Sequence, residues 1–265
     1  MNRTSGAAID DARAQGRAAL VIYLPVGYPD VDTSITAAVA AVEAGADIIE
    51  LGLPYSDPGM DGPVVAAAAQ RALDGGVRIA DVMRAAEAVA DAGAATLVMT
   101  YYNPVHRYGV EAFARDLASS GGAGLITPDL IPDEAADWVA AADAHDLDKV
   151  FLVAPSSTPE RLAMTAAASR GFVYAASTMG VTGVRATVGT AAATLVARTR
   201  AAGADRVCVG IGVSTGAQAA EVAGYADGVI VGSAAVRTLG DSGDLDALRT
   251  LVRELAAGAR AGVVA

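Results

Sequence analysis

The sequence predicts an α/β protein, a single (β/α)₈ barrel of the TIM type that spans residues 1–265 and carries an extra N-terminal helix. Eight short apolar runs alternate with alanine-rich helical segments. The runs are continuously apolar, which is typical of parallel strands buried on both faces. No stretch rich in proline, serine or charge divides the 265 residues, and eight βα units fit one barrel at this length.

The elements follow from hydrophobic patterning and from the residues that end each segment. Glycine often ends a helix, and here it precedes several strands, as in Ala44-Gly45-Ala46-Asp47. The predicted strands are residues 19–24, 47–51, 95–101, 124–127, 149–154, 172–176, 206–210 and 228–231. The predicted helices are residues 32–44, 63–73, 79–92, 110–119, 133–144, 159–168, 188–202, 215–223 and 245–261.

A doubly wound open sheet is the alternative fold. It would need a glycine-rich phosphate-binding turn after the first strand. The sequence at that point is Pro25-Val26-Gly27-Tyr28-Pro29, which does not match a dinucleotide fingerprint. We therefore favour the barrel.

Composition narrows the possible functions. A net charge of −11 argues against a nucleic-acid partner, although backbone amides can still bind a phosphate. Charges interrupt the long apolar stretches, and the N-terminus lacks a signal-peptide pattern. The only cysteine, Cys208, excludes an internal disulfide and is interpreted as a small buried hydrophobic residue. We expect a cytoplasmic protein that binds neither nucleic acid nor a membrane.

Residues 50–63 contain the most informative pattern in the chain. Glu50 ends the apolar run Ile48-Ile49-Glu50-Leu51, where a carboxylate is costly to bury unless it is partnered or functional. Asp61 follows on a proline-containing loop that can fold back over the strand end. The two carboxylates are candidates for an acid–base pair.

Polar residues also follow other predicted strands, at the end of a barrel where active sites lie. Tyr101, Tyr102 and Asn103 end the third strand, and Ser177 follows the sixth. The pair Asn103-Pro104 predicts a turn. Helix capping is the simpler interpretation for Asp129, Ser156 and Ser157.

Glycine-rich segments follow the last three strands. They are Gly180-Val181-Thr182-Gly183, Gly210-Ile211-Gly212-Val213-Ser214 and Gly232-Ser233. Phosphate sites in barrels commonly use the loops after strands seven and eight, where backbone amides approach the anion. Simple turn formation is the alternative. Residues 177–187 could close over a ligand as a lid.

No metal site is predicted. The only histidines, His106 and His145, show no metal-ligand spacing. We assign neither of them a role as a metal ligand or general base.

Several motifs occur in a fixed order along nearly the whole chain. Beyond residues 50–63, they are Tyr23-Leu24-Pro25-Val26-Gly27-Tyr28-Pro29, Thr100-Tyr101-Tyr102-Asn103-Pro104, Pro128-Asp129-Leu130, Gly180-Val181-Thr182-Gly183, Gly210-Ile211-Gly212-Val213-Ser214 and Val231-Gly232-Ser233-Ala234. In these motifs the chain resembles the alpha subunits of tryptophan synthase, which are (β/α)₈ barrels.

The resemblance implies the retro-aldol cleavage of indole-3-glycerol phosphate to indole and glyceraldehyde 3-phosphate. Glu50 would protonate indole C3 and act as the base for the side-chain hydroxyl, while Asp61 would accept the indole N–H. Tyr174 would position the substrate, and Thr182 would hold Asp61 when the loop closes. The resemblance implies an indole pocket lined by Tyr23, Met99, Tyr101, Ile126 and Leu152. It also implies phosphate contacts from Gly183, Gly212, Gly232 and Ser233.

The resemblance also implies a partner. A beta subunit with pyridoxal phosphate would join indole to serine in an alpha₂beta₂ heterotetramer, and this chain would hold no cofactor. Two positions depart from the family pattern: Pro132 comes one place later than usual, and Thr178-Met179 occupies variable loop positions. These departures concern loop detail.

Three alternatives remain. A stand-alone indole-3-glycerol-phosphate lyase would use the same residues. A non-catalytic phosphate-binding barrel could activate a partner, although Glu50 and Asp61 argue against it. Other phosphate-binding barrels would be expected to have a catalytic lysine on a strand, whereas Lys149, the only lysine, stands at a strand start.

Overall fold

The computed structural model describes residues 3–176, 190–210 and 212–262. Its strands are β1 Ala19–Pro25, β2 Ile48–Gly52, β3 Ala95–Met99, β4 Gly124–Ile126, β5 Asp148–Val150, β6 Leu152–Val153, β7 Val173–Ala176, β8 Val207–Gly210 and β9 Gly228–Val231. Its helices are α1 Ser5–Ala14, α2 Val31–Glu43, α3 Pro63–Asp74, α4 Ile79–Asp91, α5 Tyr102–Tyr108, α6 Val110–Ser119, α7 Ala136–Ala144, α8 Pro159–Ala168, α9 Thr190–Ala201, α10 Gly216–Ala223, α11 Ser233–Leu239 and α12 Leu245–Ala261.

The strands form one parallel sheet in the order β5-β4-β3-β2-β1-β9-β8-β7-β6. β5 pairs with β4, β6 pairs with β7, and only Phe151 separates β5 from β6. These two segments therefore act as one strand position that joins the two ends of the sheet. The ring has eight positions, which confirms the predicted barrel.

Alternate residues along the strands contribute to two different cores. Val21 and Ile48 belong to a cluster inside the barrel. Ile22, Ile49 and Leu51 belong to a larger cluster that includes helix residues and fills the layer between strands and helices. Because both strand faces are buried in apolar surroundings, the strands read as continuous apolar runs in the sequence.

The extra N-terminal helix is confirmed and covers the N-terminal end of the barrel. Ala8, Ile9 and Ala12 of α1 pack into the interior cluster. Ser5 donates two hydrogen bonds to the buried carboxylate of Asp148, from its backbone nitrogen at 2.8 Å and from its hydroxyl at 2.6 Å. α1 therefore shuts the barrel end opposite to the carboxyl ends of the strands, where the candidate site lies.

Two predictions about local structure were wrong. Asn103-Pro104 is not a turn but lies in the first turn of α5, where proline is tolerated because its missing N–H needs no partner within the helix. The predicted helix 133–144 is divided: a 3₁₀ turn, Pro132–Glu134, precedes α7. The predicted start at residue 188 lies outside the described residues.

Among the described residues, no helix combines the length and the apolar character that a membrane span requires.

Candidate active site

A cavity opens at the carboxyl ends of the strands. It contains about 520 Å³ of empty space, part of it open to solvent. Its lining residues are Tyr23, Glu50, Asp61, Val65, Met99, Tyr174, Gly210, Gly212, Ile230, Gly232 and Ser233. Most of the residues singled out from the sequence therefore meet in one place.

Glu50 lies on β2, two residues after Ile48, so its side chain faces the barrel interior. It is only 1% exposed. Neither carboxyl oxygen has a hydrogen-bond partner within the described part of the chain. Burial raises the pKa of Glu50 from 4.5 to about 8. The group is therefore largely protonated at neutral pH and can donate a proton into the cavity.

Asp61 lies on the loop between β2 and α3 and reaches the same cavity. Burial raises the pKa of Asp61 above its ordinary value, while a hydrogen bond from Tyr101 acts in the opposite direction. The two atoms of that bond, Tyr101 Oη and Asp61 Oδ1, are 3.4 Å apart. The Tyr101 hydroxyl also accepts a hydrogen bond of 2.8 Å from the backbone nitrogen of Met60.

Two tyrosines line the cavity over glycines of the neighbouring strands. A Cβ added at Gly52 would lie 2.7 Å from Cζ of Tyr23, and one added at Gly210 would lie 2.8 Å from Cζ of Tyr174. Such distances are too short for real carbon atoms, so the missing side chains make room for the rings. Tyr23 and Glu50 are also register partners on β1 and β2.

Small residues line the side of the cavity formed by the end of β9 and the segment after β8. Gly212 has a φ of 74°, in the left-handed region that favours glycine. Gly232 precedes α11, and Ser233, the first residue of that helix, is buried. Thr182 and Gly183 lie outside the described residues.

The remaining predicted indole-pocket residues divide into two groups. Met99 lines the cavity, and Tyr101 lines an adjoining cavity that also includes Asp61. Ile126 and Leu152 pack in the same interior cluster as Met99 but do not line the cavity itself.

Sequence reasoning missed Val65 and Ile230, which also line the cavity. Ile230 stands two residues before Gly232, so the strand period of two could have placed it on the same face. Val65 lies in the first turns of α3, close after Asp61 in the chain. Only the fold shows which face of α3 it occupies.

Other candidate groups have partners away from the cavity. Nζ of Lys149 is 2.5 Å from Oδ1 of Asp143 on α7, and Nε2 of His145 is 2.7 Å from Oε1 of Glu111. Cys208 is fully buried in the interior cluster, as predicted. The described ranges contain no group of three or more His, Cys, Asp or Glu residues that could hold a metal ion.

Asp129 does cap a helix, but not the next one in the chain. Its carboxylate accepts hydrogen bonds of 2.9 and 3.2 Å from the backbone nitrogen of Tyr102, which is the first residue of α5. The α8 cap is Thr158, which accepts from the backbone nitrogen of Arg161. Ser157 closes the preceding turn by accepting from the backbone nitrogen of Ala154.

Comparison with known proteins agrees with this geometry. A family model described as tryptophan synthase alpha chain matches residues 9–261. The tryptophan synthase alpha chain of Mycobacterium intracellulare is 64% identical over 255 residues, which cover 96% of this chain and 94% of that protein. A structure of Mycobacterium tuberculosis tryptophan synthase has a TM-score of 0.93 and 61% identity, covering 98% of this chain and 99% of that chain.

The likeness extends to a more distant relative. The tryptophan synthase alpha subunit of Legionella pneumophila has a TM-score of 0.87 and 27% identity, covering 97% of this chain and 98% of that chain. Because the family model and the Mycobacterium relatives cover nearly the whole sequence, the chain belongs to the tryptophan synthase alpha chain family.

Proposed function

We propose that Glu50 and Asp61 are the acid–base pair with which this chain performs the reaction of its family. The chain is a carbon–carbon lyase that cleaves indole-3-glycerol phosphate to indole and glyceraldehyde 3-phosphate. The observation that carries the proposal is Glu50, a buried carboxyl group without a hydrogen-bond partner among the described residues, facing the cavity at the carboxyl ends of the strands. Burial raises the pKa of Glu50 to about 8, so the carboxyl group still carries a proton at neutral pH and can donate it.

The chemistry needs a proton at indole C3 before the carbon–carbon bond can break. Glu50 donates that proton, and the ring becomes an indolenine cation. A base then removes the proton of the side-chain hydroxyl, and in this proposal Glu50, now a carboxylate, accepts it. The O–H electron pair forms the aldehyde C=O, the C–C bond breaks, and its electron pair returns to the ring as indole.

Asp61 has a different task, which requires its charged form. Positive charge develops on the indole nitrogen when C3 is protonated, and the Asp61 carboxylate accepts the N–H bond and stabilises that charge. Two carboxyl groups with different roles need different environments. Glu50 is buried without a partner, whereas Asp61 is half-buried and receives a hydrogen bond from Tyr101.

The other site residues hold the substrate in this proposal. Tyr174 positions it, and Thr182 holds Asp61 when residues 177–187 close. Tyr23, Met99 and Tyr101 contact the indole ring, and Ile126 and Leu152 extend the apolar side of this pocket from the interior cluster that they share with Met99. Gly183, Gly212, Gly232 and Ser233 bind the phosphate through backbone amides. The glycine-rich lining and the absence of a cationic side chain among the described lining residues support this mode of phosphate binding.

We also propose that the chain works in the cytoplasm with a beta subunit, in an alpha₂beta₂ heterotetramer. The beta subunit holds pyridoxal phosphate and receives the indole, and this chain carries no cofactor of its own. Residues 54–58 form part of the docking surface, so that docking favours closure over the cavity. The solved Mycobacterium tuberculosis relatives, which are structures of tryptophan synthase, support this assembly.

The test is indole release by Glu50→Gln. The variant keeps the shape of the side chain but has no transferable proton, so we expect turnover to fall on the order of 10²–10⁴-fold. Glu87→Gln removes an exposed carboxylate on α4 and serves as the matched control. Turnover of Glu50→Gln at the rate of the unmodified chain would refute the assignment.

The same assay separates the remaining alternatives. Strong stimulation by an added beta subunit supports the heterotetramer. High activity that the beta subunit does not change would instead indicate a stand-alone lyase. A chain that cleaves no substrate but stimulates the partner would be the non-catalytic activator.

A further inference from the structure

We propose that Tyr101 is a positioning residue whose hydroxyl holds the Asp61 loop in place through a chain of two hydrogen bonds. This inference rests on the proposed role of Asp61. It gives Tyr101 a task beyond lining the indole pocket.

Two consecutive hydrogen bonds link Met60, Tyr101 and Asp61. The backbone N–H of Met60 donates to Tyr101 Oη at 2.8 Å, and the Tyr101 hydroxyl donates to Asp61 Oδ1 across 3.4 Å. Each bond polarises the next, because a hydroxyl that accepts a hydrogen bond becomes a better donor. Burial raises the pKa of Tyr101 to about 12, so the hydroxyl keeps its proton at neutral pH.

The two hydrogen bonds of the Tyr101 hydroxyl differ in length. The bond from Met60 is short and fixes the backbone of the loop beside Asp61. The bond to Asp61 is long for a hydroxyl donor. Tyr101 therefore orients the carboxylate while leaving it free to exchange this bond for one to a ligand N–H.

Tyr101 is itself well anchored. It is only 8% exposed and directly precedes α5. The carboxylate of Asp129 fixes the start of that helix by accepting from the backbone nitrogen of Tyr102. The ring of Tyr55, from the loop that carries Asp61, lies against the Tyr101 ring with centroids 5.2 Å apart. The start of α5 and the Tyr55 ring therefore hold the Tyr101 hydroxyl in place, and the hydroxyl in turn positions the loop between β2 and α3.

The hydrogen bond from Tyr101 also affects the ionisation of Asp61. The titratable groups that share the two cavities with Asp61 are Glu50, Tyr23, Tyr174 and Tyr101, and none of the described lining residues is a cation. The Tyr101 hydrogen bond is accordingly the contact that lowers the pKa of Asp61 against the effect of burial. Removing it raises the pH needed to ionise Asp61.

The experiment compares Tyr101→Phe with Tyr108→Phe in the full-length chain. Tyr108→Phe is the matched control, since it removes a tyrosine–aspartate hydrogen bond, to Asp116, on the exposed surface. For Tyr101→Phe we expect kcat for indole release to fall about tenfold, the effect of roughly one hydrogen bond, with a smaller change in KM. We also expect the acid limb of the pH–rate profile to move to higher pH. Tyr108→Phe should change neither property.

A second measurement does not depend on catalysis. Amide hydrogen exchange at Met60 should be faster in Tyr101→Phe than in the unmodified chain, because the amide loses its acceptor. An unmoved acid limb or unchanged exchange at Met60 would overturn the proposal. If the unmodified chain cleaved no substrate, the proposed function would fail, and the exchange measurement would still decide whether Tyr101 holds the loop.

Discussion

At the scale of single residues, the proposed chemistry depends on a carboxyl group that the fold places in an unfavourable environment. Glu50 interrupts the run Ile48-Ile49-Glu50-Leu51, and the sequence alone therefore identified it as a group needing a partner or a function. The structure adds that it has no hydrogen-bond partner among the described residues. The raised pKa follows from burial alone. The sequence pattern does not show how deeply the group is buried, so it cannot give the size of this pKa shift.

The raised pKa of Glu50 also predicts a pH dependence of stability. In the unfolded chain the group ionises near 4.5, whereas in the folded chain it stays protonated up to about 8. Between these values the folded state binds one more proton than the unfolded state, so stability falls as the pH rises. At about 1.4 kcal/mol per pKa unit, the loss is on the order of 5 kcal/mol.

Glu50→Gln cannot titrate and should not show this loss. Denaturant unfolding of both proteins between pH 5 and pH 8 should therefore give a free-energy difference that shifts steadily in favour of the variant. The comparison uses the slope of this free-energy difference against pH, because burying the glutamine amide lowers stability by an amount that does not depend on pH. Parallel curves would contradict the raised pKa.

At the scale of elements, prediction succeeded where one physical effect dominates. Strands buried on both faces left continuous apolar runs, so each predicted strand matches an observed position. α5 was missed because Pro104 and Asn103 resemble a turn locally, and the bond that starts this helix comes from Asp129, after the next strand. α11 was missed because its seven residues follow Gly232 directly and are too few to show a helical pattern.

The site could be predicted to the same extent, and for related reasons. Glu50, Asp61, Gly232 and Ser233 follow from strand ends and motif spacing, and they meet in the cavity. Tyr101 could be placed near the site, but its bonds to Met60 and Asp61 depend on the path of a loop. Loop paths are set by contacts between distant segments, which local patterns do not encode.

α1 provides a prediction at the scale of one element. Ile9 is fully buried in the interior cluster, so Ile9→Ala should leave a cavity and lower the free energy of unfolding by about 2–5 kcal/mol. α1 covers the barrel end opposite to the candidate active site, so turnover of the folded variant should not change. Chemical denaturation and the indole assay test the two statements.

Ala7→Ser on the exposed face of α1 is the matched control, with an expected effect within about 0.5 kcal/mol. Equal stability of Ile9→Ala and Ala7→Ser would show that α1 contributes little to the folded barrel. A fall in turnover for Ile9→Ala would show that the two ends of the barrel are coupled.

At the scale of the whole molecule, we propose that residues 1–265 form one domain. The barrel ring depends on its fifth position, where β5 pairs backward with β4 and β6 pairs forward with β7. Neither half of the chain completes the ring without the other. Folding should therefore be one cooperative transition.

Two independent probes test this expectation. Fluorescence of Trp138, the only tryptophan, reports on α7, where the ring is buried against the barrel. Far-ultraviolet circular dichroism reports on the helices of the entire chain. Coincident denaturation curves are expected, whereas two separate midpoints would indicate that part of the barrel unfolds independently.

The packing of Tyr23 over Gly52 has a consequence for how the sequence can evolve. A side chain at position 52 meets not only the hydroxyl of Tyr23 but also its ring carbons, at 2.7 and 2.8 Å. Replacing Tyr23 with phenylalanine would therefore not make room for it. The ring must first be lost to a smaller side chain, and only then can position 52 accept one. Lineages that leave this arrangement must take the two steps in that order, through an intermediate with an enlarged cavity.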